Sequence, residues 1–137
     1  MTNEKIAKVS NFLNEAKIFY LLTNADNAPK GRPFAFHMVE NDTIYFATVT
    51  FKNVYKQLLE NPNAEILACT GNKFLRYDGK AVIDTDKALS AKVMKMLPLL
   101  NELYGARTDF ELAVFHLEHG NVEIRSMTET LEQFVLS

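Results

Sequence analysis

The chain has 137 residues, of which 47% are hydrophobic and 23% are charged, and its formal net charge is -2. This is the size and composition of one globular domain, and the lack of a basic excess excludes a protein that binds nucleic acid or an anionic membrane through its net charge. No apolar run approaches the roughly 20 residues of a membrane span, and the polar, amphipathic start MTNEKIAKVSNF is not a secretory signal. A single cysteine, Cys69, excludes an internal disulfide and fits a reducing cytoplasm, where we expect this single domain of residues 1–137 to work.

The first predicted element is an amphipathic helix over residues 3–17, whose apolar side chains recur at spacings of three and four. After it, apolar segments rich in β-branched and aromatic residues predict strands. These strands are Ile18–Thr23, Pro33–Val39, Thr43–Ala47, Ala64–Thr70, Phe74–Ile83 and Phe110–Leu117, with Val122–Arg125 pairing back and a last short segment at Phe134–Leu136. Turn-forming residues separate them at Asn24–Gly31, Glu40–Asp42, Gly71-Asn72 and His119-Gly120-Asn121.

Two corners of the chain are predicted to be helical. One helix runs from about Phe51 to Glu60, with Thr50 as its N-cap, Pro62 as its stop and an apolar stripe that includes Val54 and Leu58. The other is capped by Asp84 or Thr85 and runs to about Leu97, where Pro98 breaks or restarts it. Its inward-facing residues are predicted to be Ala88, Val93, Met96 and Leu97.

Six or seven strands joined mostly by hairpins predict an α+β or mainly β fold. Short antiparallel links favour a closed or nearly closed barrel, because closure removes exposed strand edges. No strand is followed by a GxGxxG or GxxxxGK[ST] loop, so neither common nucleotide fingerprint is present.

Polar side chains gather where the strand at Thr43–Ala47 leads into the following helix. A helix N-terminus offers unpaired amides and a partial positive charge, so hydroxyl and ammonium groups beside it favour a phosphate site. The alternative is that the threonine only caps the helix and the lysines only solvate it. The residues concerned are Thr48, Thr50, Lys52, Asn53 and Lys56.

Four segments, in this order, give the chain a family resemblance. They are FYLLTNADNAPKGRPFAF at 19–36, IYFATVTFKNVYKQLLENPNAEI at 44–66, FLRYDGKAV at 74–82 and FELAVFHLE at 110–118. The chain resembles the pyridoxamine 5′-phosphate oxidase-like flavoproteins, the FMN-binding split-barrel group, and within it the small bacterial members grouped with nitroimidazole-resistance proteins. The resemblance implies a six-stranded antiparallel split β-barrel with a few flanking helices, and a homodimer with one FMN at each of two interface sites.

The resemblance also implies which residues hold the flavin. Arg32 to Phe36 match the strand that runs beside the isoalloxazine and ribityl chain, Thr48 and Thr50 match hydroxyls near the ribityl–phosphate arm, and Lys52 and Asn53 match the positions that hold the phosphate. The implied cofactor-binding residues are Arg32, Pro33, Phe34, Ala35, Phe36, Thr48, Val49, Thr50, Lys52, Asn53 and Lys56. From the residues alone, Arg32 is equally well a solvated charge, and Phe34 and Phe36 are more typical of a core.

The chain departs from the founding oxidase at two places. That enzyme carries a Ser-Arg-Lys cluster where this chain has Phe51-Lys52-Asn53, and a C-terminal arginine–histidine element where this chain ends TLEQFVLS. These differences argue against oxidation of pyridoxamine 5′-phosphate, which stays the least favoured hypothesis.

The favoured hypothesis is an FMN-dependent oxidoreductase of a small molecule, in which the flavin carries the electrons and no catalytic acid or base need appear in the sequence. The alternative is a non-catalytic module of the same fold that binds flavin or haem. No metal site is predicted, because His116 and His119 lie three apart in a strand segment and so face opposite sides. FAD or a deazaflavin in place of FMN stays open at this stage.

Overall fold

A computed structural model describes residues 3–107 and 111–136 of the chain. In that part, four helices accompany an eight-stranded antiparallel sheet. The helices are α1 (Glu4–Ala16), α2 (Asn53–Glu60), α3 (Lys87–Met96) and α4 (Leu99–Tyr104). The strands are β1 (Phe19–Ala25), β2 (Ala28–Phe34), β3 (Met38–Glu40), β4 (Thr43–Val49), β5 (Asn63–Thr70), β6 (Lys73–Asp84), β7 (Leu112–Ser126) and β8 (Thr130–Leu136).

The sheet has the strand order β2-β1-β5-β6-β7-β4-β3, with β8 added to β7. It curls on itself, because rings from strands that are not neighbours meet in the core. The ring centroid of Phe19 on β1 lies 5.8 Å from that of Phe46 on β4, and that of Phe34 on β2 lies 6.5 Å from that of Phe115 on β7. The predicted mainly antiparallel split barrel is confirmed, with eight strands where six were expected.

Helix α1 confirms the predicted amphipathic helix. Ile6, Val9, Phe12 and Leu13 are buried and join the same core cluster as the inward faces of the strands. Asn3 caps it by accepting a hydrogen bond from the Lys5 backbone N–H at 2.8 Å. The helix therefore covers the barrel with the face that its sequence periodicity indicated.

The predicted strand Pro33–Val39 is wrong, because the chain forms β2 and β3 with residues 35–37 between them. Asp26 and Asn27 both have positive φ, 50° and 65°, and close a tight two-residue turn between β1 and β2. Residues 29–31, which were predicted to be loop, therefore pair with β1. Pro29 and Pro33 are tolerated there because β2 is an edge strand. In an edge strand the position that lacks an N–H donor can face away from the neighbouring strand.

The predicted hairpin at His119-Gly120-Asn121 is also wrong. Strand β7 runs unbroken through it, pairing with β6 on both sides of an irregularity between Asp78 and Lys80. A Cβ on Gly79 would lie 3.4 Å from the Cα of Gly120, so two glycines allow the strands to approach closely at this irregularity. The continuous partner strand thus overrides the local turn signal. The predicted start of this strand at Phe110 lies outside the described residues.

The helix boundaries need two corrections. Helix α2 begins at Asn53 rather than Phe51, and Thr50 does not cap it: the backbone N–H of Thr50 donates to Glu111 O at 2.9 Å, which keeps Thr50 beside the sheet. Helix α3 is capped by Asp86 rather than by Asp84 or Thr85. Its buried residues are Leu89 and Val93, whereas the predicted Ala88 and Met96 are exposed.

Candidate functional site

A cavity of about 280 Å³ lies where β2, the end of β4, the start of α2 and α4 come together. Most of the sequence-predicted site residues line it: Arg32, Pro33, Phe34, Ala35, Phe36, Thr48, Val49 and Lys52. Thr50, Asn53 and Lys56 do not line it. The structure therefore brings together the two segments singled out in the sequence, 32–36 and 48–52, and leaves the more distal polar residues of the helix start outside.

Arg32 is one of two charged residues that line this cavity, the other being Lys52. Its Nη1 donates to the backbone oxygen of Leu21 at 3.1 Å and to Thr23 Oγ1 at 2.8 Å, and its Nη2 donates to Gln57 Oε1 at 2.8 Å. All three acceptors are neutral, and no carboxylate of the described residues lies within ion-pair distance of the guanidinium. Burial lowers the pKa of Arg32 from its usual value. A partly buried cation without an anionic partner is the feature expected of a site that receives an anion from outside.

Thr48 adds a hydroxyl-bearing residue to the lining of the same cavity. The residue is only 8% exposed, at the end of β4.

The start of α2 also contributes to the cavity, through Lys52. Lys52 occupies the N-cap position in an extended conformation, and no side chain there accepts a hydrogen bond from the first turn. Its ammonium lies 5.6 Å from the ring centroid of Tyr104. The uncapped helix start and this ammonium add positive potential to the cavity.

The remaining wall of the cavity is apolar. Phe34 also packs in the core, with its ring centroid 6.3 Å from that of Phe19, as the sequence favoured. The other apolar groups come from the end of α3, from α4 and from the start of β7: Leu97, Leu100, Leu103, Tyr104 and Leu112. Of the predicted break or restart at Pro98, the structure shows a restart, because α4 follows directly. The spacing of three between Leu97, Leu100 and Leu103 is the signal that would have identified this wall.

Thr23 and Gln57 were also missed by sequence reasoning, although both contact Arg32. Their positions, 9 and 25 residues from Arg32 along the chain, carry no local signal of this contact. The lining of the cavity as a whole combines two cationic side chains and a threonine with many apolar groups. It suits a ligand with a flat apolar part and an anionic group.

Within residues 3–107 and 111–136, no group of three or more His, Cys, Asp or Glu side chains is arranged to hold a metal ion. No helix in that same part of the chain is long and apolar enough to cross a membrane.

The chain belongs to the pyridoxamine 5′-phosphate oxidase family, because residues 6–126 match that family. No curated protein matches it in sequence. Among solved structures it is similar to a NimC/NimA family protein from Clostridium acetobutylicum, with 25% identity, a TM-score of 0.84, and coverage of 97% of this chain and 94% of the other.

Two more distant structures share the fold. One is a pyridoxamine 5′-phosphate oxidase-related, FMN-binding protein from Nostoc punctiforme, with 16% identity, a TM-score of 0.62, and coverage of 100% of this chain and 99% of the other. The second is a haem-binding protein from Mycobacterium smegmatis, with 13% identity, a TM-score of 0.69, and coverage of 98% of this chain and 59% of the other. The same fold thus accompanies two different planar ligands.

Proposed function

We propose that this protein binds FMN in the cavity between β2, α2 and α4 and acts as an FMN-dependent oxidoreductase on a small molecule. The observation that carries the proposal is the Arg32 guanidinium, which is partly buried at the cavity, is held by neutral acceptors and has no carboxylate partner among the described residues. A phosphate carries about -1.5 to -2 charge and would supply the missing anion.

The residues present fit this cofactor. Arg32, Thr48 and Lys52 would hold the phosphate end through charge and hydrogen bonds. The 33–36 segment and the leucine-lined wall would enclose the ring system and keep water from it. Asn53 and Lys56 do not line the cavity. They would contact a bound phosphate only if it extended beyond the cavity to the outer face of α2.

The chemistry would belong to the flavin, which exchanges electrons with a substrate bound beside it. No His, Cys, Asp or Glu of the described residues lines the cavity. The chain's own part is therefore to bind the cofactor, exclude water and leave room for a substrate over the apolar wall.

We also propose that the working unit is a homodimer. The cavity volume of about 280 Å³ is just below the usual range of roughly 300–1,000 Å³ for ligand sites, so a flavin would extend beyond this chain. Leu99 and Leu103 of α4 are 57% and 60% exposed beside it. A second copy would cover these leucines and supply the missing wall.

The second candidate is a non-catalytic module that binds flavin or another planar ligand such as haem. It is favoured by the absence of His, Cys, Asp and Glu from the cavity lining in the described part of the chain. Haem is the weaker choice, because the same lining contains no His, Cys or Met and offers only the phenol of Tyr104 to its iron.

The first experiment is a visible absorption spectrum of the purified protein, repeated after incubation with FMN or haem and desalting, together with its mass in solution. Retained flavin bands on a dimer, followed by reduction of the bound flavin with NADH or NADPH, are the expected result. Stable flavin binding without turnover of any donor supports the non-catalytic module. A protein that retains haem but no flavin would overturn the FMN proposal. An assay with pyridoxamine 5′-phosphate tests the family's namesake activity.

A further inference from the structure

We infer that Gln57 is a specificity-determining residue, which orients Arg32 through a neutral oxygen and so reserves the guanidinium charge for the phosphate of the ligand. This inference rests on the proposed function and names the group that would make the site prefer FMN over riboflavin, which lacks the phosphate. Gln57 would act through Arg32, as a positioning residue, with Thr23 as its partner.

The hydrogen bonds around Arg32 form a closed three-membered network. Thr23 Oγ1 lies 2.6 Å from Gln57 Oε1, and the two nitrogens of Arg32 reach Thr23 and Gln57 at 2.8 Å each. Arginine has only donors, so the atom of Gln57 that faces it must be the amide oxygen. The Thr23 hydroxyl therefore accepts from Arg32 and donates to Gln57, and every proton direction in the network is fixed.

The network is anchored on both sides. Thr23 is 2% exposed on the inner face of β1, and Gln57 lies on α2 between the buried Val54 and Leu58. The backbone oxygen of Leu21, which pairs in register with Arg32, accepts a further bond. Strand β1 and helix α2 thus accept three hydrogen bonds from the guanidinium and fix its orientation. Only its remaining N–H groups are left to bind a ligand.

The neutral acceptors of Arg32 contrast with the carboxylates beside other cations of the molecule. Lys8 lies 2.5 Å from Glu132, Lys92 lies 2.8 Å from Glu40, and Arg76 lies 3.7 Å from Glu123. At Gln57 a glutamate would fit the same space and accept the same two hydrogen bonds. A carboxylate there would neutralise the charge that Arg32 presents to the cavity. The amide of Gln57 positions Arg32 without neutralising it.

The test is Gln57→Glu, which changes one NH₂ group to an oxygen. Dissociation constants for FMN and for riboflavin are measured by titration of flavin fluorescence in the wild type and the variant, with thermal unfolding as the check on the fold. The matched control is Gln133→Glu on β8, an exposed residue away from the cavity that makes the same change in net charge. We expect Gln57→Glu to reduce the preference for FMN over riboflavin roughly ten- to a hundredfold with the melting temperature kept or raised, and Gln133→Glu to leave it unchanged.

Gln57→Met is a second variant, which keeps the length of the side chain but removes the oxygen. It should also weaken FMN more than riboflavin, because Arg32 loses an anchor while its charge remains. A wild-type preference for FMN that persists in Gln57→Glu would overturn this inference and leave the proposed function standing. Wild-type protein that binds neither flavin, or both equally, would overturn the phosphate site and with it the inference.

Discussion

Two arginines lie on strands of the same sheet, and the charges around them differ. Arg32 on β2 is held by neutral oxygens beside an open cavity. Arg76 on β6 is half exposed, lies 3.7 Å from the carboxylate of Glu123 and rests its guanidinium 5.2 Å from the ring of Phe74. The first charge is unbalanced within the described residues, whereas the second is balanced where it stands.

The two regions also differ in what lines them. Arg32 borders a largely apolar cavity, whereas Arg76 borders an acidic surface cavity. On the β6–β7 wall an added methyl group has no room at Gly79 or Gly120. Under the proposed function a ligand occupies the first region, whereas the protein itself packs closely against the glycines of the β6–β7 wall. Substitutions at the cavity should therefore change binding, and substitutions on the β6–β7 wall should change stability.

The largest effect on binding is expected from Arg32→Ala. Loss of a charge-assisted contact costs about 1.5–3 kcal/mol, so the dissociation constant for FMN should rise roughly ten- to a hundredfold, and that for riboflavin much less. Titration of flavin fluorescence measures both. Arg76→Ala removes the same charge from the protein and is the control. Equal weakening of both flavins by Arg32→Ala would place the phosphate elsewhere and remove the distinction between the two arginines.

The largest effect on the β6–β7 wall is expected from Gly120→Ala. The added Cβ would lie 2.5 Å from Cε1 of the buried Tyr77, so the strand or the ring must shift, at a cost of about 1–3 kcal/mol. Denaturant unfolding measures the loss, and FMN binding should not change.

Tyr77→Leu provides the control for Gly120→Ala, because it removes the ring atom that the methyl group meets. The cost of Gly120→Ala should shrink in the Tyr77→Leu background, which a double-mutant cycle detects as a non-additive term. Additive effects would mean that the contact with Tyr77 is not what keeps position 120 a glycine.

The parts of the molecule that local patterns govern could be predicted from the sequence. The apolar stripe of α1 is one such local feature. For the cavity, the strand-to-helix segment identified residues 48–52, and the family resemblance identified residues 32–36. The exact helix start could not be found in this way. Thr50 has the right side chain for a cap, but a backbone hydrogen bond to Glu111, which is distant in sequence, holds it out of the helix.

Long-range contacts account for the other differences. The residues His119-Gly120-Asn121 are typical of a turn, yet β6 pairs across them and keeps β7 continuous. The network of Arg32 with Thr23 and Gln57 joins three elements, and each member alone is an ordinary polar residue. Such contacts depend on the register of the sheet and the placement of α2, which the sequence patterns do not specify.

A smaller effect is expected at the segment between β2 and β3, which lines one edge of the cavity. His37 in this segment lies with Nε2 2.8 Å from Ser10 Oγ, and burial lowers the pKa of His37 from its usual value of 6.5. The unfolded chain therefore binds a proton more readily than the folded one. Stability should be unaffected well above pH 6.5 and should fall as the pH drops below it, until His37 also becomes protonated in the folded state.

The variant His37→Gln tests this dependence, because an amide can keep a hydrogen bond to Ser10 but does not titrate. Its melting temperature should fall less steeply than that of the wild type between about pH 7 and pH 5. The same substitution at the exposed His119 is the control. An unchanged slope in His37→Gln would assign the acid sensitivity to other groups.

The smallest effect on stability is expected at Arg76, whose charge is balanced by Glu123 at the surface. Arg76→Ala should lower the free energy of unfolding by no more than about 0.5 kcal/mol, because the side chain is 50% exposed and surface ion pairs contribute little. Glu123 also keeps a second cation, Arg125, at 3.7 Å, so it does not become unpaired when Arg76 is removed. A double-mutant cycle of Arg76→Ala with Glu123→Gln should give a coupling of about 0.2–1 kcal/mol at low salt that fades at 1 M salt. A coupling well above this range, or a loss of FMN affinity in Arg76→Ala, would mean that this charge is not self-contained and that the two arginines serve a common site.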